Sequence, residues 1–267
     1  MLIPLREDIA PYLEGQGRED LIQIGMHGLD SGNGMFLGYS LTDRVKKFFK
    51  RENKLFIGAK RTKLTSLGDI GGNALQLALR ARRSSRVYSG ESMPLAVLSE
   101  ILQRSMGAIK EDTEKYGGSI RRTYPSGGAL YSVDAYLLAK NVDGLAQGAY
   151  YYYPNSHELV QLRNENFSLR SYLYDLPEFK ELLTTTNVAI ILCGFFEKSY
   201  YKYGERAWKL AFLEAGHIAQ NFYLVCADKA TVGMCGHGGF HGASLSNFLD
   251  LNINTEQILY PLTLGMI

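Results

Sequence analysis

A mixed protein of β-strands and α-helices is what this sequence predicts, and three stretches predict it. Val188-Ala189-Ile190-Ile191-Leu192-Cys193-Gly194-Phe195-Phe196 is a continuous apolar run, as expected of a central strand buried on both faces. Gly148 to Tyr153 and Glu158 to Leu162 flank the turn residues Pro154-Asn155-Ser156, so 149 to 162 reads as a hairpin. Glu205 to Lys229 carries the longest helical pattern. Trp208, Phe212, Ala215, Ala219 and Phe222 form one stripe, which Leu210, Leu213, His217 and Leu224 broaden. A helix apolar over most of its circumference belongs in the middle of a fold or at a subunit interface. His217 on it reads as a core or interface histidine rather than a catalyst.

Composition narrows the class. A chain of 267 residues allows one large domain or two small ones, and 46% apolar residues suffice for a full core. The net charge of +2 is small and the basic residues are not confined to one region, so charge does not point to nucleic acid. The densest basic runs, Arg44 to Arg51 and Arg80 to Arg86, fit solvated faces or an anion site. Cys193, Cys226 and Cys235 are odd in number and lack CxxC spacing, which favours buried free thiols over disulfides or zinc. No run of 18 apolar residues and no secretory pattern at Met1 to Arg6 occur, so a soluble cytoplasmic protein without a membrane role is expected.

The remaining elements follow in order. Residues 1–70 read as a small accessory segment. It has a Gly-rich turn at Gly28 to Gly38 holding Asp30 and Asn33, a basic helical stretch at Ser40 to Lys50, and a short strand at Leu55 to Ile57. Residues 71–267 form the main domain. Asp69 to Asn73 opens a helix with Leu75, Leu77, Ala78 and Ala81 on its apolar side. Ser92 or Met93 caps a second helix, with Pro94 in its first turn and Leu95, Leu98, Ile101, Leu102 and Met106 at three- and four-residue spacing up to Gly107. Residues 108 to 120 read as a loop, Leu130 to Lys140 as a strand, and 167 to 183 as holding a helix around Leu169, Tyr172 and Leu173. A short helix at 244 to 250 and a strand at Gln257 to Met266 close the chain. His157 lies at the edge of the hairpin and reads as a surface residue.

Four stretches carry chemistry. Arg82-Arg83-Ser84-Ser85-Arg86 concentrates charge-assisted donors suited to phosphate oxygens, or caps a helix end against its own dipole. In Tyr124-Pro125-Ser126-Gly127-Gly128-Ala129-Leu130-Tyr131, proline presets a turn and two glycines admit close approach of a flat ligand; an ordinary loop is the alternative. Lys202 and Tyr203, in Tyr200 to Arg206 just before the long helix, fit a proton-exchanging pair tuned by burial and the helix dipole, or a lysine lying over aromatic packing. Gly233 to Gly242 holds consecutive amides able to cup an anion. His237 and His241 within it do not form a metal pair, because the intervening glycines deny them a rigid helix.

Taken in this order, Arg82 to Arg86, the Tyr124 to Tyr131 turn, the tyrosine-rich strand ending at Pro154, Lys202 to Arg206 and the long helix resemble the nitroreductase superfamily. Over roughly 75 to 267 they are most similar to its SagB/McbC-type azoline dehydrogenases, whose narrower mark is the Lys-Tyr pair. The resemblance implies an α+β fold, a central antiparallel-rich sheet flanked by helices, in a homodimer of domain-swapped style with FMN at the interface. It implies that Arg82, Arg83, Ser84 and Arg86 hold the phosphate and ribityl chain, helped by Gly238 and Gly239. Pro125, Ser126, Gly127, Gly128 and Leu130 would line the isoalloxazine from the other subunit, and Lys202 and Tyr203 would be catalytic. The implied reaction is oxidation of thiazoline or oxazoline rings in a ribosomally made peptide, beside a cyclodehydratase. An NAD(P)H-dependent nitro or quinone reductase and a non-catalytic scaffold are the rival expectations. Ser132 departs from the proline common after Leu-Tyr, and a basic residue that many relatives place near the C-terminus has no counterpart up to Ile267.

Overall fold

Side chains of the strand at Val188–Phe195 alternate between two cores. Val188, Ile190 and Leu192 enter one, and Ala189, Ile191 and Cys193 enter the other. This two-sided burial is why the stretch is apolar without interruption. The structure, a computed structural model, describes residues 58–64, 73–109, 120–174 and 179–267. The chain divides into two compact units, Met1–Gly71 and Gly72–Ile267, and the elements named below belong to the second. The expectations for Gly28 to Gly38, Ser40 to Lys50, Leu55 to Ile57 and Asp69 to Gly72 lie outside the described residues.

In chain order the elements are α1 (Ala74–Ala81), β1 (Met93–Pro94), α2 (Leu95–Met106), β2 (Ala108–Ile109), β3 (Arg121–Arg122), β4 (Val133–Ala139), β5 (Val142–Asp143), β6 (Gly148–Tyr153), β7 (Glu158–Arg163), α3 (Lys180–Thr185), β8 (Val188–Phe195), α4 (Glu197–Tyr203), α5 (Arg206–Lys229), β9 (Val232–Gly236), α6 (Gly242–Leu249) and β10 (Glu256–Met266). Single 3₁₀ turns lie at Gly127–Ala129 and Leu169–Ser171. Six strands form an antiparallel sheet in the order β7-β6-β4-β8-β10-β9. Helices α2 and α5 supply one core with Leu98, Ile101, Leu102, Ile218 and Phe222. Leu182, Leu183, Leu245 and Leu249, from α3 and α6, supply the other. An α+β fold with a central antiparallel sheet flanked by helices is what results.

Helix α5 buries Ala207, Ala211, Ala215 and Ala219 at four-residue spacing, together with Ile218, Phe222, Val225 and Cys226. Small residues on that stripe let the helix lie close to its neighbours. The opposite side leaves Trp208, Phe212, Leu213, Gly216 and His217 exposed. The expected apolar stripe is therefore split: Ala215, Ala219 and Phe222 are core, and Trp208 and Phe212 are surface in the single chain. His217 is not a core histidine.

Several local expectations are corrected. Among the described residues of 167 to 183, the helix expected around Leu169, Tyr172 and Leu173 is a 3₁₀ turn at Leu169–Ser171, α3 begins only at Lys180, and Leu173 bridges to Phe240. The strand expected at Leu130 to Lys140 starts at Val133, because Ala129 and Tyr131 take positive φ values of 54° and 50°. In α1 only Ala78 is buried, while Leu75, Leu77 and Leu79 are exposed. Pro94 is the cap residue of α2 rather than part of its first turn. His157 is less of a surface residue than expected: its ring lies 2.8 Å from Ser99 Oγ through Nε2 and 2.8 Å from Tyr152 Oη through Nδ1, tying the hairpin to α2. All three cysteines are buried free thiols.

Candidate functional site

Two groups of the singled-out residues come together, at opposite ends of α5. The first gathers on the Gly127–Ala129 turn. Gly128 has a φ of 64°, and a Cβ placed there would sit 2.2 Å from Tyr203 Oη and 2.8 Å from Lys202 Nζ. The turn therefore abuts the Lys-Tyr pair directly. A Cβ on Gly127 would meet Leu210 of α5 at 3.0 Å. Lys202 Nζ lies over the Tyr203 ring, 5.3 Å from its centroid. Leu130, Glu197, Lys198, Tyr201 and Lys202 line an adjoining cavity of about 580 Å³. A second cavity of about 240 Å³ shares Leu130 and Lys198 and adds Arg122, Asp134 and Tyr151.

The placement of the Lys-Tyr pair differs from the expectation in one respect. Lys202 and Tyr203 stand on the last turn of α4, which Gly204 ends with a φ of 54°; they do not begin the long helix. Lys202 is exposed. The burial and helix-start dipole expected around it are not its surroundings. What surrounds the pair is the glycine turn.

Sequence reasoning missed the groups that brace this turn. Glu214 of α5 is 3% exposed; one carboxylate oxygen accepts from the Ser126 hydroxyl, and the other accepts from the Val133 N–H at 3.0 Å. Burial pushes its carboxyl above the usual carboxylate range, against the lowering by those hydrogen bonds and by Arg122. Arg122 donates to Tyr124 Oη at 2.8 Å and lies over the Tyr131 ring at 5.0 Å. Burial likewise raises the Asp134 carboxyl, with Arg122 opposing. Arg122, in the arginine pair before the turn, and Asp134, a polar break in an apolar strand, stood out locally in the sequence; Glu214 did not.

The second group lies at the C-terminal half of α5. Ser84 Oγ is hydrogen-bonded to Tyr223 Oη at 3.1 Å, and the Arg82 guanidinium lies over the Tyr223 ring at 5.4 Å. Ser85 N–H donates to the Met234 carbonyl at 2.8 Å, which pins this segment along β9. Arg86 is near enough to Cys235 and His237 to act on both electrostatically. Gly238 follows with no atom within 4 Å of where a Cβ would project, whereas Gly239 packs against the Tyr174 ring. Arg83 stands apart: its guanidinium donates to the carbonyls of Arg80 and Arg82, both at 2.8 Å, and so caps α1. Pro125 is exposed at the other group. Half-buried and exposed arginines, a hydroxyl and an open glycine backbone form a donor set with the chemistry of a phosphate cradle.

The nitroreductase family model matches residues 79–266. This chain belongs to the nitroreductase family. A nitroreductase-family protein of Methanocaldococcus jannaschii is 29% identical over 185 residues, covering 69% of this chain and 88% of its own. The microcin B17-processing protein McbC of Escherichia coli is 36% identical over 116 residues, 42% of each chain. The trifolitoxin-processing protein TfxB of Rhizobium leguminosarum is 28% identical over 127 residues, 44% of this chain and 33% of its own. The chain thus spans less than half the length of those two homologues. Among solved structures, a chain of the E. coli microcin synthetase McbBCD complex with truncated pro-MccB17 bound shares the nitroreductase fold, with a TM-score of 0.66 over 97% of both chains at 21% identity. No helix among the described residues is long and apolar enough to cross a membrane.

Proposed function

We propose that this protein is an FMN-dependent dehydrogenase that oxidises thiazoline or oxazoline rings of a ribosomally synthesised peptide to thiazoles or oxazoles. The observation that carries the reading is the contact of Gly128 with Lys202 and Tyr203. It joins the turn shared across the superfamily to the pair that marks azoline dehydrogenases. Homology to McbC and TfxB, both named as processing proteins of peptide products, supports the same reaction class.

Nitroreductase-family proteins typically bind a flavin, and the donor set here fits FMN. Arg82, Ser84 and Arg86 with Gly238 would hold its phosphate, with Arg83 and Gly239 shaping that end from behind. Pro125, Ser126, Gly127, Gly128 and Leu130 would face its ring. Bound flavin supplies the two-electron acceptor, which no side chain of this protein provides. The chain supplies position and proton transfer: Lys202 Nζ or Tyr203 Oη takes the ring Cα proton, and the cavity beside Leu130 and Lys202 receives the peptide.

A second copy of the chain completes the site in this reading. Leu210 touches the glycine turn and Tyr223 touches Ser84, so about 20 Å of α5 separates the two groups on one chain, at 1.5 Å per residue. The exposed face of Trp208, Phe212 and Leu213 on the same helix is the apolar surface on which the homodimer would form. A peptide-bearing cyclodehydratase complex is the proposed partner, in keeping with the structural neighbour from a synthetase complex.

Mass spectrometry of an azoline peptide incubated with the purified yellow protein tests the reading. A loss of about 2 Da per ring, two hydrogens, is expected. The M. jannaschii relative favours a second reading, NAD(P)H-dependent nitro or quinone reduction. That reading requires NAD(P)H consumption with nitroaromatics and indifference to Lys202.

A further inference from the structure

The loop from Ser126 to Val133 is strained. Gly128, Ala129 and Tyr131 all have φ between 50° and 64°, and two of the three carry a Cβ. Non-glycine residues in the left-handed region cost of order 1–3 kcal/mol each and persist only where surrounding structure over-determines them. A single side chain from outside the loop reaches both of its ends. The Glu214 carboxylate accepts from the Ser126 hydroxyl at one end and from the Val133 N–H, at 3.0 Å, at the other. Ser126 Oγ passes the constraint inward by accepting the Tyr131 N–H at 2.8 Å. Tyr131 Oη in turn accepts the Arg122 N–H at 3.0 Å. Gly128, at the crest of the loop, is the residue that abuts Tyr203 Oη and Lys202 Nζ.

We infer that Glu214 is a positioning residue, whose two-ended grip on the Ser126–Val133 loop holds the glycine turn against Lys202 and Tyr203. Its place on α5 is one face away from Leu213, which is exposed. The helix that carries the proposed dimer surface therefore also carries the clamp. Glutamine can keep both contacts, accepting from Val133 N–H through its oxygen and donating to Ser126 Oγ through its nitrogen. Alanine can keep neither, and leaves the buried Val133 N–H and the half-buried Ser126 hydroxyl without that partner. This contrast separates positioning from space-filling.

The inference rests on the proposed function only for its catalytic arm. Amide hydrogen exchange is measured on the full-length protein, with and without added FMN, for wild type, Glu214→Gln, Glu214→Ala and Ser126→Ala. Exchange at Tyr131 and Val133 is expected to speed by about tenfold or more in Glu214→Ala, and at Tyr131 in Ser126→Ala, while strands β8 and β10 keep wild-type protection. Glu214→Gln is expected to stay within about threefold of wild type. In azoline oxidation, Glu214→Ala is expected to lower kcat by about tenfold or more with KM little changed, and glutamine to restore it. Wild-type exchange at Tyr131 and Val133 in Glu214→Ala overturns the inference, as does protection lost evenly across the sheet. Should Glu214→Ala not fold, unaltered Tyr131 exchange in Ser126→Ala overturns it. Absence of azoline turnover in every variant, wild type included, with the local exchange change present, sinks the reaction assignment and leaves the clamp standing.

Discussion

Gly128 is built against Tyr203: the position its Cβ would take lies 2.2 Å from the phenolic oxygen. The atoms in the way, Tyr203 Oη and Lys202 Nζ, are the free ends of side chains, so alanine at 128 displaces them rather than the backbone. Positive φ at alanine adds roughly 1–2 kcal/mol of strain. Gly128→Ala is therefore expected to lower thermal stability by only a few degrees, about what that strain implies. Turnover is expected to fall about 100-fold, because an ångström of misplacement at a reacting group costs that much. Differential scanning calorimetry beside azoline oxidation kinetics checks the split. Parallel losses in stability and rate would contradict it.

Lys202 is exposed, with its amine near the Tyr203 ring, and no core contact depends on it. Lys202→Ala is expected to purify yellow, with an unchanged melting temperature, and to lose turnover by about 10²-fold or more, the range for a general acid–base group. Flavin absorbance and single-turnover oxidation together decide it. Full azoline oxidation by this variant removes Lys202 from the chemistry.

The parts of this molecule legible in its sequence are those whose signal is local. Val188 to Phe195 is apolar at every position but Gly194 because both its faces are buried, and run length alone reports that. The long helix reports itself by periodicity, but periodicity does not say which apolar face is covered. Trp208 and Phe212 looked equivalent to Ala215 and Phe222 and are not. Strand β9 was hidden among glycines whose reason is tertiary: a Cβ on Gly233 would strike the Ser85 side chain at 2.6 Å, and one on Gly265 of β10 would strike the Tyr88 ring at 2.3 Å. The boundary between α4 and α5 turns on Gly204 alone. Among the candidate site residues, the motifs stood out as residue types, but their bracing did not. Glu214 reads as one more charged residue on a helix, and its partner Ser126 lies 88 positions away.

Leu213 is half-exposed on the apolar side of α5 beside Trp208 and Phe212. A charge there costs the isolated chain little and a buried dimer interface several kcal/mol. Leu213→Lys is expected to break the proposed dimer into monomers, weakening association about 100-fold or more. Flavin is expected to leave with the partner, while far-ultraviolet dichroism stays that of wild type. Light scattering and flavin absorbance on the same sample check both. A monomer that keeps its flavin would contradict a site completed by a second copy.

His237 supplies a pH dependence with a definite sign. It is 4% exposed, its Nε2 lies 2.9 Å from Thr263 Oγ1, and Tyr88 Oη donates to the Thr263 carbonyl at 2.9 Å. Burial, assisted by the Arg86 charge, pushes the imidazole down to about 4 from its ordinary 6.5. Between those values the unfolded chain binds a proton that the folded protein refuses, so stability falls as pH drops from about 6.5 to about 4. The full loss is about 3 kcal/mol, at 1.36 kcal/mol per unit. Glu214 and Asp134 act with the opposite sign: their raised carboxyls bind protons in the folded protein first, and so favour folding as pH falls. The histidine contribution therefore has to be read as a difference. His237→Gln keeps a nitrogen able to reach Thr263 and cannot be protonated in this range. Urea unfolding at pH 4, 5, 6 and 7 is expected to give wild type a steeper loss of stability than the variant below about pH 6.5, with the two curves parallel above it. Parallel curves throughout would mean that the imidazole protonates in place without penalty, against the burial that lowers it here.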